Sequence, residues 1–389
     1  MRPFVELSFM PTALASGSKT VFHYRGNVTP PRDYRRWTTL VGTLIRHWAD
    51  RYGIGELRRW FFEVWNEPNL KAFWTGTRED YFKLYRETVR TIKDVDPDLK
   101  VGGPATAHDE WISEFITFCD RHDVSADFVS THHYPTDALV APGTNTDAQL
   151  AQSRRSIMRQ WAQDTRRRAG GRPVYYTEWN ASSNPRDPRH DEPYAAAFAV
   201  KTALEASGVA DGYSFWTFSD IFEEHSFPSE PFHGGFGLLT LHGIAKPVYR
   251  AFQLLKALGT ERLVVDGLHP TVDAWVVRKR GGVTIVVTNH ALPLQPIHRE
   301  RVRMTLHGSR RPRSVSIQRI DERHANPRRV WLKRGRPDDL SSGMVERLDA
   351  ASRLEEVTHA CEFTHRTIRL EVDVLPHSMA SVAVALQSA

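Results

Sequence analysis

What this 389-residue sequence lacks narrows its partners first. No apolar run approaches the ~20 residues a membrane-spanning helix needs, so no membrane partner is expected. The N-terminal MRPFVELSFMP has no basic segment followed by an apolar stretch and a small-residue cleavage site. It does not read as a signal peptide, and the expectation is a cytoplasmic protein. Only two cysteines occur, Cys119 and Cys361, too far apart for a disulfide framework or a metal-binding spacing; both are expected to be buried thiols. Lysine is scarce, with 10 among 52 basic residues. The net charge of +6 comes from arginines scattered along the chain rather than from a patch, so no nucleic-acid partner is expected. Internal repeats and low-complexity tracts are also missing.

What remains is an ordinary globular composition, 40% hydrophobic and 25% charged, with length enough for two domains. Up to about residue 259 short strands alternate with helices. PFVELSF (3–9), WFFEVW (60–65), LKVGGP (99–104), DFVSTHHY (127–134), PVYYTEW (173–179) and GYSFWTF (212–218) are each rich in aromatic or β-branched residues and closed by a turn former. Helical periodicity covers 31–53 and 77–98, and further helices fit 109–122, 147–168, 191–207 and 246–258. Strict alternation predicts a parallel sheet in an α/β fold. After residue 260 the pattern becomes short strands with turn signals, including a hairpin at KRGGVT (279–284) and one helix near 343–352. Residues 1–259 are therefore expected to form a (β/α) barrel domain and 260–389 a β-sandwich domain.

Two strands end on a glutamate. RRWFFEVWNEPNLKAFW (58–74) carries Glu67, and GRPVYYTEWNASSN (171–184) carries Glu178. Alternation puts Phe61, Glu63, Trp65 and Glu67 on one side of the first strand, and Val174, Tyr176 and Glu178 on one side of the other. The two glutamates are 111 residues apart. At ~31 residues per β/α unit this is three strands, which places them face to face across a barrel mouth, at the strand ends where barrel enzymes keep their sites. Two facing carboxyls are what glycoside hydrolysis requires: one attacks the anomeric carbon and the other protonates the leaving oxygen. No cofactor is expected. No metal is expected either, since the adjacent His132 and His133 must point to opposite faces of a strand.

These stretches resemble a known family. EVWNEPNLKAFW is similar to the acid/base motif of clan A retaining glycosidases, where Asn-Glu ends barrel strand 4, and YYTEWNASSNPRDPRHDEPYAAAF to the nucleophile strand, strand 7. PFVELSFMP, VSTHHYPTD and FSDIFEE…PFHGGFGLL…GIAKPVYRAF resemble glycoside hydrolase family 39, its β-xylosidases above all. The resemblance implies a TIM barrel with a trailing sandwich, and a retaining hydrolase that removes β-1,4-linked xylose from xylo-oligosaccharides. It implies Glu67 as acid/base and Glu178 as nucleophile. It gives Asn66 to the sugar 2-OH, Tyr134 to the nucleophile, His132 to the site wall, Trp216 to the floor, and at least one of Glu223 and Glu224 to sugar hydroxyls. His233, Gly234 and Gly235 fit a tight turn near the mouth. Glu6 reads as structural. His108 and Asp109 fall in a loop that could touch substrate, outside the chosen site residues.

Counted against the family, PFVELSF is strand 3, so the barrel is expected to be N-terminally incomplete, with strands 3 to 8 only. A truncated reading frame or gene fragment is the corresponding expectation. Family members often assemble, which leaves a homo-oligomer open. Two other readings stand beside the xylosidase one. The same chemistry could act on an α-L-iduronide or a bacterial exopolysaccharide, or the chain could be an inactive truncated pseudo-enzyme that binds saccharide.

Overall fold

The computed structural model describes residues 2–138, 145–222, 224, 228 and 230–387. Six parallel strands form a curled sheet, half of a barrel, in the order β1 (Phe4–Leu7), β4 (Phe61–Val64), β5 (Lys100–Thr106), β6 (Phe128–His133), β7 (Val174–Trp179) and β8 (Gly212–Phe215). A small hairpin, β2 (Thr20–Val21) with β3 (Gly26–Asn27), lies in the segment after β1. The helices of this part are α1 (Tyr34–Tyr52), α2 (Ile54–Leu57), α3 (Arg78–Val95), α4 (Ile112–His122), α5 (Thr146–Gln152), α6 (Ile157–Arg168), α7 (Pro193–Ala206) and α8 (Pro247–Lys256). Their ends follow local chemistry. Asp33 caps α1 through the Arg35 N–H, Gly53 closes it at φ 82°, and Thr77 and Asp80 form a reciprocal capping box on α3.

Inward-facing side chains are stacked in layers. At the bottom, Phe4, Phe61, Phe128 and Tyr175 make an aromatic plug, with Phe4 stacked on Phe61 at 5.1 Å and Phe61 5.1 Å from Tyr175. Gly102 is needed here, because a Cβ would lie 2.4 Å from the Phe128 ring. The middle layer is polar. Glu6 and Glu63 are register partners on β1 and β4, and the Thr177 hydroxyl donates to Glu63 at 2.8 Å. The top layer holds Glu67, His132, Tyr134 and Glu178.

The remaining strands are antiparallel: β9 (Glu261–Leu263), β10 (Val272–Lys279), β11 (Gly282–Asn289), β12 (Glu300–Leu306), β13 (Pro312–Ile320), β14 (Val357–Thr358), β15 (Glu362–Thr364), β16 (Thr367–Val374) and β17 (Ser378–Leu386). A six-stranded sheet, β14-β13-β17-β11-β10-β9, packs against the three-stranded sheet β12-β16-β15. Two helices, α9 (Pro327–Lys333) and α10 (Ser342–Ser352), lie in the connection after β13. The β10–β11 hairpin pairs Lys279 with Gly282, and Gly281 supplies a φ of 79° in its turn.

The structure departs from the sequence expectations in a few places. The helix expected over 147–168 is two, α5 and α6. Between them Ser153 bonds the Pro135 carbonyl and the Arg155 side chain reaches Asp273, which draws the chain out of helical geometry. The strand expected over 212–218 ends at Phe215, and α9 was not expected. Cys119 is buried, but Cys361 is only half-buried. Among the described residues no helix is long and apolar enough to cross a membrane.

Candidate active site

A pocket of about 290 Å³ opens at the C-terminal ends of the parallel strands. Its walls include Glu67, Glu178, Asn66, His132, Tyr134, Trp216 and Glu224, seven of the eight site residues expected from sequence. The eighth, Glu223, lies outside the described residues.

Glu67 and Glu178 do face each other, but simple strand alternation does not place them. β4 ends at Val64. Trp65 follows with φ 73°, buries its ring against Trp74 at 4.9 Å, and does not line the pocket as its expected phase required. Glu67, itself at φ 44°, returns to the mouth, with its N–H on the Ala105 carbonyl at 2.8 Å. On β7 the expected phase of Val174, Tyr176 and Glu178 also fails. The register with β6 slips by one residue, from Thr131↔Tyr176 to His132↔Glu178, leaving Thr177 as the extra residue of a bulge. Tyr176 therefore faces the helices, stacked on His133 at 3.8 Å, while Glu178 reaches the pocket.

The imidazole of His132, 1% exposed, spans the two carboxyls. Its Nδ1 lies 3.1 Å from Glu67 Oε1 and 3.5 Å from Glu178 Oε2. One oxygen of each glutamate and a His132 nitrogen all fall within 4.8 Å of one another. These three are also the one set of donors, among the described residues, close enough to enclose a cation. The Tyr134 hydroxyl donates to Glu178 Oε1. His133 points the other way, as adjacent strand residues must, onto Asp109 at 3.2 Å and the Tyr213 hydroxyl at 2.7 Å.

Burial pushes the Glu67 carboxyl up to about 8. Burial also pushes Glu178 up to about 8, and the Glu67 charge adds to the rise, against the pull of His132 and the Tyr134 hydrogen bond. Two carboxyls this close in a desolvated pocket do not both ionise at neutral pH. Tyr134 sets the two apart: its donor favours the ionised form of Glu178, against the burial that raises both carboxyls. The arrangement thus places two carboxyls in unlike surroundings, with one proton to share between them.

Several residues fall otherwise than expected. Glu6, read as structural, lines the pocket. His108 lines it too, whereas Asp109 is buried under it, bonded to His133 and to Thr165 at 3.0 Å. Gly234 and Gly235 form a turn behind the pocket. Gly234 takes φ 78° against Asp187, and the Gly235 carbonyl accepts from Lys246 Nζ at 2.8 Å. Sequence reasoning missed Phe9, Phe22, Tyr24, Leu70, Phe73 and Asp137 in the lining, and Glu63 beneath it. The run FHY (22–24) was the available signal, since three rings in a loop need something to cover.

Comparison with known proteins places this geometry. The family model for glycosyl hydrolases family 39 matches residues 1–365. A beta-xylosidase of Caldicellulosiruptor saccharolyticus is 49% identical over 389 residues, covering 99% of this chain and 80% of that protein. The crystal structure of the GH39 enzyme from Xanthomonas axonopodis pv. citri superposes with a TM-score of 0.85 at 30% identity, covering 99% of this chain and 80% of that one. A monomeric beta-xylosidase from Caulobacter crescentus CB15 gives a TM-score of 0.83 at 29% identity, over 99% and 81% of the two chains.

Proposed function

The chain belongs to glycosyl hydrolases family 39, and from that premise we propose that it removes β-1,4-linked xylose from xylo-oligosaccharides with retention of configuration. Glu178 attacks the anomeric carbon as Glu67 gives its proton to the departing glycosidic oxygen. The C–O bond to the leaving group breaks and a glycosyl ester forms. Esterification removes the Glu178 charge, so Glu67, now a carboxylate, takes a proton from water, and the resulting attack releases xylose. The separation of the carboxyls, within 4.8 Å oxygen to oxygen, supports retention, which needs ~5–5.5 Å, over inversion, which must leave room for a water.

Around this pair, Asn66 donates to the sugar 2-OH, Trp216 lies under the ring, Glu224 takes further hydroxyls, and His132 keeps the two glutamates in register. The observation that carries the neutral sugar is the make-up of the lining. Glu6, Glu67, Asp137, Glu178 and Glu224 are there, and among the described residues no lysine or arginine is. Among the described lining residues a uronate carboxylate would find no lysine or arginine to pair with. Xylose, with no charge and no exocyclic carbon, suits a small acidic pocket, and the 49% identical relative bears the name beta-xylosidase.

Replacing Glu178 by Ala should abolish release of nitrophenol from an aryl β-xyloside; near-normal turnover in that variant sinks the assignment. A panel of aryl glycosides tests the sugar, with the highest kcat/KM expected on the β-xyloside. Assembly into a homo-oligomer is a further proposal, open to light scattering.

A further inference from the structure

The loop that carries Glu67 is tied by Asn69 to Ala107, the residue before His108, which puts His108 on the Glu67 side of the pocket. In the double displacement the nucleophile and the departing oxygen are on opposite faces of the anomeric carbon, and the departing oxygen touches the acid. The leaving group therefore exits along the wall that surrounds Glu67. On that side the lining includes Leu70 and Phe73 from the Glu67 loop, and Ala107 and His108, which Asn69 ties to it.

His108 is the polar group of that wall that the backbone goes out of its way to present. It sits at φ 62°, within a run of left-handed residues that includes Ala105 at 55°, Asp109 at 54° and Trp111 at 60°. Left-handed backbone is costly for residues with a Cβ and persists only where neighbours enforce it. The enforcement is visible on both sides. Before His108, the Asn69 side chain clamps Ala107, accepting its N–H at 2.9 Å and donating to its carbonyl at 3.0 Å. After it, Asp109 is locked by His133, by Thr165 and by Arg168 on its carbonyl at 2.7 Å. Asn69 belongs to the loop that carries Glu67, so acid and imidazole are held by one piece of backbone.

The ring has a carboxyl beside one end. His108 Nε2 lies 3.6 Å from Asp137 Oδ1, and Asp137 Oδ2 accepts the Tyr134 N–H at 2.8 Å. The Asp137 side chain is 7% exposed and the His108 side chain 27%. A shielded carboxyl thus sits beside an imidazole that is still open to the pocket. Imidazole and carboxylate together offer both hydrogen-bond senses, which matches vicinal hydroxyls, and Leu70 and Phe73 offer apolar cover for the C–H face of a ring.

We propose that His108, beside Asp137, is the hydrogen-bonding contact for the leaving-group sugar, and that this pair makes the enzyme prefer an oligosaccharide leaving group over a simple aryl one. The proposal rests on Glu67 being the acid.

The test compares two substrates that share the preferred glycone, whichever sugar the panel selects: the β-1,4-linked disaccharide and the nitrophenyl glycoside. In His108→Ala, kcat/KM for the disaccharide should fall at least tenfold further than for the nitrophenyl glycoside, the size of one lost hydrogen bond to a polar group. His108→Gln should recover part of the difference, and Asp137→Asn should show a smaller loss of the same kind. Equal losses on both substrates, or no loss, overturn the proposal. A second readout does not depend on turnover. Calorimetry on Glu178→Ala protein should show the disaccharide binding more tightly than the monosaccharide, and addition of His108→Ala should erase that increment. An increment that survives overturns the proposal even if Glu67 and Glu178 keep their roles. Unimpaired turnover in Glu178→Ala, by contrast, would overturn the catalytic assignment and not the subsite.

Discussion

Glu63 is the residue whose role the sequence hid best. It is 2% exposed, directly below the layer of Glu67 and Glu178, with its register partner Glu6 on one side and His132 above. Burial pushes its carboxyl up to about 7, against the attraction of His132 and the Thr177 hydrogen bond. An unfolded glutamate titrates near 4.5, so between those values the folded chain holds a proton that the unfolded chain releases. Stability from this group is therefore full below pH ~4.5 and is lost as pH rises through about 7. Asp137, raised to about 7 by burial, acts in the same sense. Glu63→Gln cannot ionise and should flatten the decline of Tm between pH 5 and 8. A wild-type slope in the variant would show that Glu63 stays neutral throughout or is paid off by His132. At this scale Glu67 and Glu178 were legible because a carboxylate ending an aromatic strand is unusual. Their directions were not, because positive φ at Trp65 and Glu67 and the bulge at Thr177 arise from neighbouring strands, and alternation knows nothing of those.

At the scale of elements, capped helices and short strands were readable, since caps, turns and periodicity are local. The loop architecture behind the site was not. Lys246, fully buried at the N-terminus of α8, bonds Asp191 at 2.7 Å, Asp220 at 2.8 Å and the Gly235 carbonyl at 2.8 Å. Asp191 then accepts the Gly234 N–H at 2.6 Å and Asp220 accepts the Gly237 N–H at 2.8 Å. One ammonium thereby ties the segment before α7, the loop after β8 and the glycine turn. The loop after β8 carries Phe222 and Glu224 into the pocket. A single lysine in GIAKPVYR gives no hint of this, because its partners lie 55 and 26 residues upstream. Lys246→Met fits the volume but strands two buried carboxylates. The expected cost is about 3–5 kcal/mol, the range for removing one partner of a buried ion pair. Urea unfolding measures it. KM should also rise, since the displaced loop helps to form the pocket. A loss below about 1 kcal/mol would mean that the clasp is replaceable.

For the whole molecule, the change of texture near residue 260 was legible, but the closeness of the two parts was not. β11 is buried along its full length because it is covered twice, by β16 on one face and by α7 and α8 on the other. Its apolar residues Val283, Ile285, Val286 and Val287 occur on both faces of the strand, which records that double cover. α7 is buried on nearly all sides, and its alanines allow a close approach on both. Arg155, between α5 and α6, reaches across: its guanidinium bonds the His290 carbonyl at 2.7 Å, the Thr271 carbonyl at 2.5 Å and Asp273 at 3.2 Å. If the proposed boundary at 260 separated two independent folding units, each would keep its own core. Here Ala196, Val200, Ala251 and Leu254 from the helices share one cluster with Trp275, Val286, Ile320 and Met379 from the sheet. Unfolding of either side exposes the other, so wild-type calorimetry should give a single transition. Arg155→Ala removes the polar pin and leaves Asp273 and two carbonyls short of a donor, at about 2–3 kcal/mol. The shared apolar cluster is untouched, so Tm should fall while the transition stays single. A split into two transitions in Arg155→Ala would show instead that the pin, and not the shared helices, couples the parts.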